Sequence, residues 1–293
     1  MKFRAHETFA IRKGWLHKGM RHVVNNPRVF VDKSINSMDE FGLGANMVKS
    51  LRYWLQATGL TIEGNTNNNR SQQLTPFGQL VWENDAYIEE DGTLYFLHYF
   101  LASNEELATA WYYFFNYYNV FEISRESFAE GIKSFLLERN NQQVSDRAID
   151  DDYDCIIKTY YSNRTDLSPE NNMDSPLCEL GLVAPNDFKA KTFIKITPRS
   201  DTINPLIILA IIVRENTLIG GQDDIKIATL ENAPNNVGKI LNLDSLSLSI
   251  ILDKLQNMGY IKVNRTAGLD LIKINPTLTF EQCVQEYYRS IND

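Results

Sequence analysis

Two groups of residues have the types that acid–base or metal chemistry needs. The first is His6-Glu7, an imidazole beside a carboxylate, with Arg4, Arg12 and Lys13 close by in sequence. With a partner from elsewhere in the fold, such a pair can hold a divalent cation. Hydrolysis of a phosphodiester asks for that Lewis acid and for positive charge at the leaving oxygen. A histidine whose ring nitrogens only cap local backbone is the plainer alternative. His6-Glu7 does not belong to an HExxH motif, and His17 and His22 are five apart, not the four that align two ligands on a helix face. The second group is Asp150, Asp151, Asp152 and Asp154. Asp150 and Asp154, four apart, share one side of a predicted helix and can hold Mg²⁺ or Mn²⁺ with waters. A solvated acidic surface is the competing reading of such a run.

Other catalytic signatures are missing from the sequence. It has no GxxxxGK[ST], no GxGxxG after a strand and no GxSxG. Gly42-Leu43-Gly44 resembles a piece of a phosphate loop but lacks the preceding strand, so a turn glycine is the simpler account. No nucleotide or organic cofactor is expected.

The elements that would position these groups follow from periodicity. Phe41 to Leu60 reads as a Gly-containing turn, a helix over Asn46–Ala57 and a stop at Gly59. Val48, Leu51 and Leu55 form its buried face. Asn46, Lys49 and Arg52 lie off that face, the two cations free to meet a polyanion. With a short helix over Ser37–Phe41 before it, this matches a helix-turn-helix, whose second helix can enter a major groove. A two-helix corner in a core is the alternative. A strand, a polar tip (Asn65 to Arg70) and a return strand follow, which completes a winged-helix arrangement with Arg70 where wings touch phosphates. Thr75-Pro76 then signals a helix start. Upstream, a helix is expected from near Phe9, capped by Thr8, with Arg12, Lys13, Lys18 and Arg21 on its polar side.

Net charge is −8, yet it is segregated: +6 over residues 1–80, −12 over 81–170 and −2 over 171–293. Such segregation suggests a basic working surface on an acidic body. The aromatic run from Asp85 to Asn119 reads as core packing in preference to a base-stacking platform, because its flanking glutamates would repel a nucleic-acid backbone. Helices over Ser127–Glu138 and Ser145–Tyr161 and a polar linker over Ser162–Ser175 follow. PLCELGLV and KTFIKITP look like short strands, and Asn204–Val213 like an apolar helix. From Ile225 a second winged-helix pattern emerges, with helices over IKIATLEN, Asn235–Leu241 and Ser245–Met258. A hairpin turning at Ala267-Gly268 and a last helix, Phe280–Ile291, close it. Lys254, Lys262 and Arg265 restore some positive charge to it; DNA contact and protein docking both fit it.

The three cysteines are far apart and form no CxxC pair, and no apolar run approaches 18 residues. With no basic–apolar–small leader pattern, a cytoplasmic protein without membrane contact is expected. Three domains are expected: 1–84 with the basic segment and first winged helix, 85–175 helical and acidic, and 176–293 with the second winged helix. The fold class expected is mainly α with small β wings (α+β), winged-helix units standing at both ends of a helical body.

Several stretches together, FRAHETFAIRKGWLHKG, LGANMVKSLRYWL, LTPFG, DGTLYFLHYFLA and DSPLCELGLV, resemble the bacterial domain-of-unknown-function family 4007. They cover Phe3 to about Val183; Ala10 stands where the family pattern favours proline. The resemblance implies a place in DNA phosphorothioation, the replacement of a non-bridging phosphate oxygen by sulfur, which serves phage defence. It implies double-stranded DNA as a ligand, and a cysteine desulfurase, an ATPase and a sulfur transferase as partners. The chain would nick the duplex as an endonuclease, or act as a non-catalytic adaptor that recruits the sulfur-transfer enzymes. It assigns no catalytic residues, so His6 and Glu7 remain the first candidates and Asp150 and Asp154 the candidate metal ligands.

Overall fold

In a computed structural model, all residues are described except 67–68, 141–142, 163–173, 267–268, 275–277 and 293. The opening residues do not form the expected helix. Arg4, Glu7 and Thr8 adopt left-handed backbone angles, and the first helix, α1 (Trp15–Asn25), starts only after Gly14 at φ 77°. Thr8 does not cap it: Gly14 holds that position, and the Thr8 N–H is donated to His6 Nδ1 at 3.1 Å. Next come α2 (Ser37–Phe41), which ends on Gly42 at φ 58°, and α3 (Ala45–Ala57). Strands β1 (Thr61–Thr66) and β2 (Asn69–Leu74) pair antiparallel, with Glu63 opposite Gln72 and Asn65 opposite Arg70. In α4 (Pro76–Asn84) the Thr75 hydroxyl accepts from Gly78 N–H and Pro76 fills the first turn, as the sequence signal requires.

The aromatic run supplies α5 (Asp91–Ala102) and α6 (Thr109–Asn116), buried along nearly their whole length. They pack with α7 (Arg125–Asn140) and α8 (Asp146–Tyr160). PLCEL is a 3-10 turn, Pro176–Leu180, not the expected strand. Ser175 caps it and Gly181, at φ 62°, ends it, which closes the turn before a strand can extend. Strands β3 (Val183–Asp187) and β4 (Thr192–Lys195) then form a bulged hairpin. Helix α9 (Pro205–Leu218) is buried on all sides from Leu206 to Val213, as an all-apolar helix must be.

The last third holds β5 (Asp224–Lys226), α10 (Ile227–Asn232), α11 (Val237–Ile240), α12 (Ser245–Asn257), β6 (Ile261–Thr266), β7 (Leu269–Ile274) and α13 (Phe280–Asn292). IKIATLEN, expected to be wholly helical, begins as β5, because Ile225 and Lys226 pair with Ile272 and Leu271 of β7. The set α12–β6–β7 repeats α3–β1–β2 at an offset of 200 positions, down to the left-handed Gly59 and Gly259 after each helix. Few residues are identical at that offset, among them Leu55/Leu255, Gln56/Gln256 and Gly59/Gly259, so the repeat is one of geometry more than of sequence. It differs at one edge: β5 joins β7 as a strand, whereas in the first set the Pro27 carbonyl accepts from Gln72 N–H at 2.8 Å. Proline has no N–H to return, so the reciprocal ladder bond is missing at this position.

The fold is mainly helical with small antiparallel sheets, and one cluster of buried apolar side chains runs through it from Ile11 to Tyr288. Among the described residues no helix is long and apolar enough to cross a membrane. The expected turn at Ala267-Gly268, the middle of the tip Asn65–Arg70 and most of the linker Ser162–Ser175 lie outside the described residues.

Candidate nucleic-acid interface

Helix α3 turns its apolar residues inward: Leu51, Trp54 and Leu55 are fully buried. Asn46 and Lys49 are exposed on its other side, with Lys49 Nζ 3.3 Å from Asn46 Oδ1. Arg52 belongs to this outer face but is not free. Glu63, projecting from β1, accepts from both Arg52 Nε and, at 2.8 Å, Arg52 Nη2. Gln56 Nε2 donates to the same carboxylate at 3.0 Å, and Arg70 Nη2 approaches it at 2.6 Å. Two arginines and a glutamine thus converge on one carboxylate. Burial acts to raise the Glu63 pKa, but the bonds and charges of Arg52 and Arg70 outweigh it and hold the carboxyl below its ordinary range. Lys2, Lys49, Tyr53 and Arg70 surround this hub as the wall of a shallow groove of about 270 Å³.

This corrects one expectation and supplies a residue that sequence reasoning missed. Arg52, 27% exposed, is engaged by Glu63; Arg70 meets the same carboxylate with a side chain that is 65% exposed. Arg52 and Glu63 are too far apart in sequence for a helical i,i+4 rule, and only the fold of β1 against α3 joins them. Glu63 is only 11% exposed and takes two bonds from Arg52, so Arg70 is the guanidinium a phosphate can reach most readily.

The remaining basic candidates are dispersed. Arg4 Nε meets Asp151 at 2.7 Å, Lys13 pairs with Glu179, and Lys49 stands 3.7 Å from Glu7. Lys18 donates to the Phe41 carbonyl at 3.1 Å, and Arg12 lies over the Phe9 and Trp15 rings. Arg21 is exposed. In the second set, Lys254 donates to Ser200 O at 2.9 Å, Arg265 donates to Ser249 and Asp253, and Lys262 is exposed. Of the opening segment's cations, Arg4 and Lys13 are paired with carboxylates and Lys18 with a carbonyl, while Arg21 is left exposed.

His6 and Glu7, neighbours in sequence, occupy different environments. His6 is 1% exposed and walled by Tyr53, Trp54 and Trp111. Its Nδ1 accepts from Thr8 N–H, which leaves Nε2 as the protonated nitrogen, donating to Asp152 Oδ1 at 2.7 Å. Asp152 also accepts from Arg4 N–H at 2.8 Å. Burial pushes its carboxyl up, opposed by the His6 bond. Both ring nitrogens are therefore committed inside the protein, while Glu7 faces outward to Lys49. Asp150 and Asp154 do share one side of α8, as their spacing demands, but that side holds Arg125, whose Nη2 binds Asp154 and whose Nη1 is 3.8 Å from Asp150. A guanidinium between the two carboxylates is a poor fit for a divalent cation. Among the described residues no group of three His, Cys, Asp or Glu side chains has the arrangement to hold a metal.

Comparison with known proteins bears on the whole chain. The sequence profile described as "Protein of unknown function (DUF4007)" matches residues 3–288. The fold is similar to a magnesium ion-bound SspB crystal structure, with 23% identity, a TM-score of 0.88, and coverage of 100% of this chain and 89% of that one. A second SspB crystal structure is similar at 23% identity and TM-score 0.87, with the same coverage. No curated protein matches the sequence.

Proposed function

Because the chain belongs to the DUF4007 family over residues 3–288, we propose that it is a double-stranded-DNA-binding component of a DNA phosphorothioation system. The observation that carries this reading is the convergence of Lys49, Arg52 and Arg70 from α3 and β2 on one groove. In this reading α2–α3–β1–β2 and α10–α12–β5–β7 are winged helices at the two ends of a helical body. The first occupies a domain over 1–84, the body 85–175 and the second 176–293. The first winged helix sits on the duplex, with Arg70 and Lys49 against phosphates and Asn46 towards a base edge.

The geometry favours the adaptor reading over the nicking one. His6 has no ring nitrogen to offer a substrate, and Arg125 stands between Asp150 and Asp154, so no hydrolytic step is assigned to these residues. The chain then holds DNA for the sulfur-transfer enzymes, a cysteine desulfurase, an ATPase and a sulfur transferase. The fold likeness to a magnesium-bound SspB makes Mg²⁺ the cation to include in any assay.

The test is fluorescence anisotropy on a duplex over a salt series, with wild type and the triple variant Lys49→Ala/Arg52→Ala/Arg70→Ala. The logarithmic salt slope is expected to fall by roughly one per lost phosphate contact. An unchanged slope overturns this interface. Supercoiled plasmid incubated with Mg²⁺ or Mn²⁺ is expected to be bound without nicking; nicking by the purified protein overturns the adaptor reading.

A further inference from the structure

A single apolar side chain in solvent is ordinary, and this surface has several. Phe188 differs from the others by where it stands. It is 72% exposed in the turn Asp187-Phe188-Lys189-Ala190-Lys191 that joins β3 to β4, and the lysines at 189 and 191 are exposed beside it. We propose that the β3–β4 hairpin is a wedge that enters a DNA duplex, Phe188 sliding between base pairs while Lys189 and Lys191 meet neighbouring phosphates. The proposal rests on the DNA-binding reading and adds to it a contact that deforms the duplex.

The hairpin is braced as a wedge has to be. Phe193 of β4 exchanges both backbone hydrogen bonds with Ile123, at 2.7 and 3.0 Å. Glu122 accepts from Asn186 Nδ2 on β3 at 3.1 Å and from Thr192 Oγ1 on β4 at 2.6 Å, so one carboxylate ties the two strands just below the turn. A bulge between Pro185 and Asp187 bends β3 on its way to the tip.

Within the turn the charges are sorted. Asp187 Oδ1 accepts from the N–H groups of Lys189 and Ala190 at 2.7 and 3.2 Å, which folds the acid onto its own backbone. Lys191 closes the turn at φ 55°, a left-handed position that glycine fills with less strain. A lysine there supplies charge where turn geometry alone favours a residue without any.

The tip lies on the side of the molecule that carries the outer face of α3. Phe188 and Lys191 stand across one hollow from Thr8, Phe9 and Arg12. Glu7, next to Thr8, faces Lys49 of α3 at 3.7 Å. A duplex resting on Lys49 is thus separated from the hairpin only by the opening segment and that hollow. An apolar side chain pushed between base steps, with cations on the adjoining backbone, kinks a duplex and brings more of it against the protein. An anionic lipid surface would meet the same chemistry at the tip; the side shared with α3 favours the duplex.

Duplexes with 2-aminopurine in place of adenine at TA steps, which unstack easily, test the wedge beside anisotropy on the same DNA. The whole chain is compared with Phe188→Ala, Lys189→Ala/Lys191→Ala and Phe121→Ala. Phe121, 82% exposed between Val120 and Glu122, is the control for an exposed ring without adjoining lysines. Wild type is expected to raise the fluorescence as it binds. Phe188→Ala should abolish the rise and weaken binding about five- to tenfold with the salt slope unchanged, because no phosphate contact is lost. The lysine pair should lower that slope by roughly two, and Phe121→Ala should behave as wild type. All these side chains are exposed, so the melting temperatures should agree, which separates lost contact from lost fold. Duplex binding without a fluorescence rise, or a rise that survives Phe188→Ala, overturns the wedge and leaves the DNA reading standing. No duplex binding at all overturns both. Capture by anionic lipid vesicles that requires Phe188, with duplex fluorescence alike in wild type and Phe188→Ala, gives the tip to a membrane and overturns the proposal.

Discussion

His6 and Asp152 stand 146 positions apart, and their side chains meet at 2.7 Å in the interior. The pair ties the opening segment to α8, and Trp54 and Trp111 close over it. Its form is that of a catalytic dyad; its burial makes it a structural clasp.

His6→Ala should therefore damage the fold before any activity. Asp152 would keep the Arg4 N–H but lose its side-chain partner, and breaking a buried pair from one side costs about 3–5 kcal/mol. A fall of several degrees in melting temperature is expected by calorimetry. A variant as stable as wild type would mean that the clasp contributes nothing.

Glu63→Gln should strengthen DNA binding. The substitution removes the negative charge that now holds Arg52 and Arg70, and it leaves an uncharged acceptor of the same shape. In anisotropy titrations the salt slope is expected to steepen by about one to two, with affinity rising several-fold at low salt. An unchanged slope would show that Arg52 and Arg70 do not face phosphate.

The fully buried His98 should make stability sensitive to mild acid. It bridges Tyr160 on α8 and the Ile240 carbonyl, and burial lowers its pKa from 6.5 to about 4 against the smaller, opposite effect of the Ile240 bond. The folded state thus refuses a proton that the unfolded chain accepts below pH 6.5. The stability linked to this group is complete above pH 6.5 and is lost as pH falls towards 4, by roughly 3 kcal/mol in all. Urea midpoints measured across that window should show the loss, and His98→Gln should flatten the part due to this group.

Helix α13 is docked through Gly92. A Cβ there would lie 2.1 Å from Tyr287 Cζ, and the Gly92 N–H donates to the Tyr287 hydroxyl at 3.0 Å. Gly92→Ala should destabilise the protein by about 1–3 kcal/mol through overpacking. Combining it with Tyr287→Ala should cost less than the sum of the two, because the second change makes room for the first. Strict additivity in denaturant titrations would place α13 elsewhere.

Arg125 decides whether Asp150 and Asp154 can meet a cation. Millimolar Mg²⁺ is expected to leave the wild-type melting temperature almost unchanged, since the guanidinium already sits between the carboxylates. In Arg125→Ala the same ion should raise it, as two carboxylates four apart lose their counter-charge. A wild-type increase that Asp150→Ala/Asp154→Ala abolishes would restore the metal reading of this pair.

What the sequence determined by itself was local. The apolar spacing of Val48, Leu51 and Leu55 announces α3, Thr75-Pro76 announces α4, and the glycines after α3 and α12 stop both helices. These signals act over a few residues, where backbone geometry and side-chain spacing leave few alternatives. The crowding of α5 and α6 with aromatics likewise made them core, because no solvated face could hold so many rings. The family was legible for the same reason, as short motifs in a fixed order. Tertiary structure alone decided which charge meets which. Lys49 and Arg52 look alike in the sequence, both basic and both off the apolar face of α3, yet Glu63 holds Arg52 in two bonds while Lys49 stays largely exposed beside Glu7. His6 and Glu7 are adjacent, yet one is sealed against Asp152 and the other points outward to Lys49. Charged side chains are long, and a counter-ion within about 4 Å outweighs any neighbour along the chain. Which counter-ion comes that close is fixed by how helices and hairpins pack.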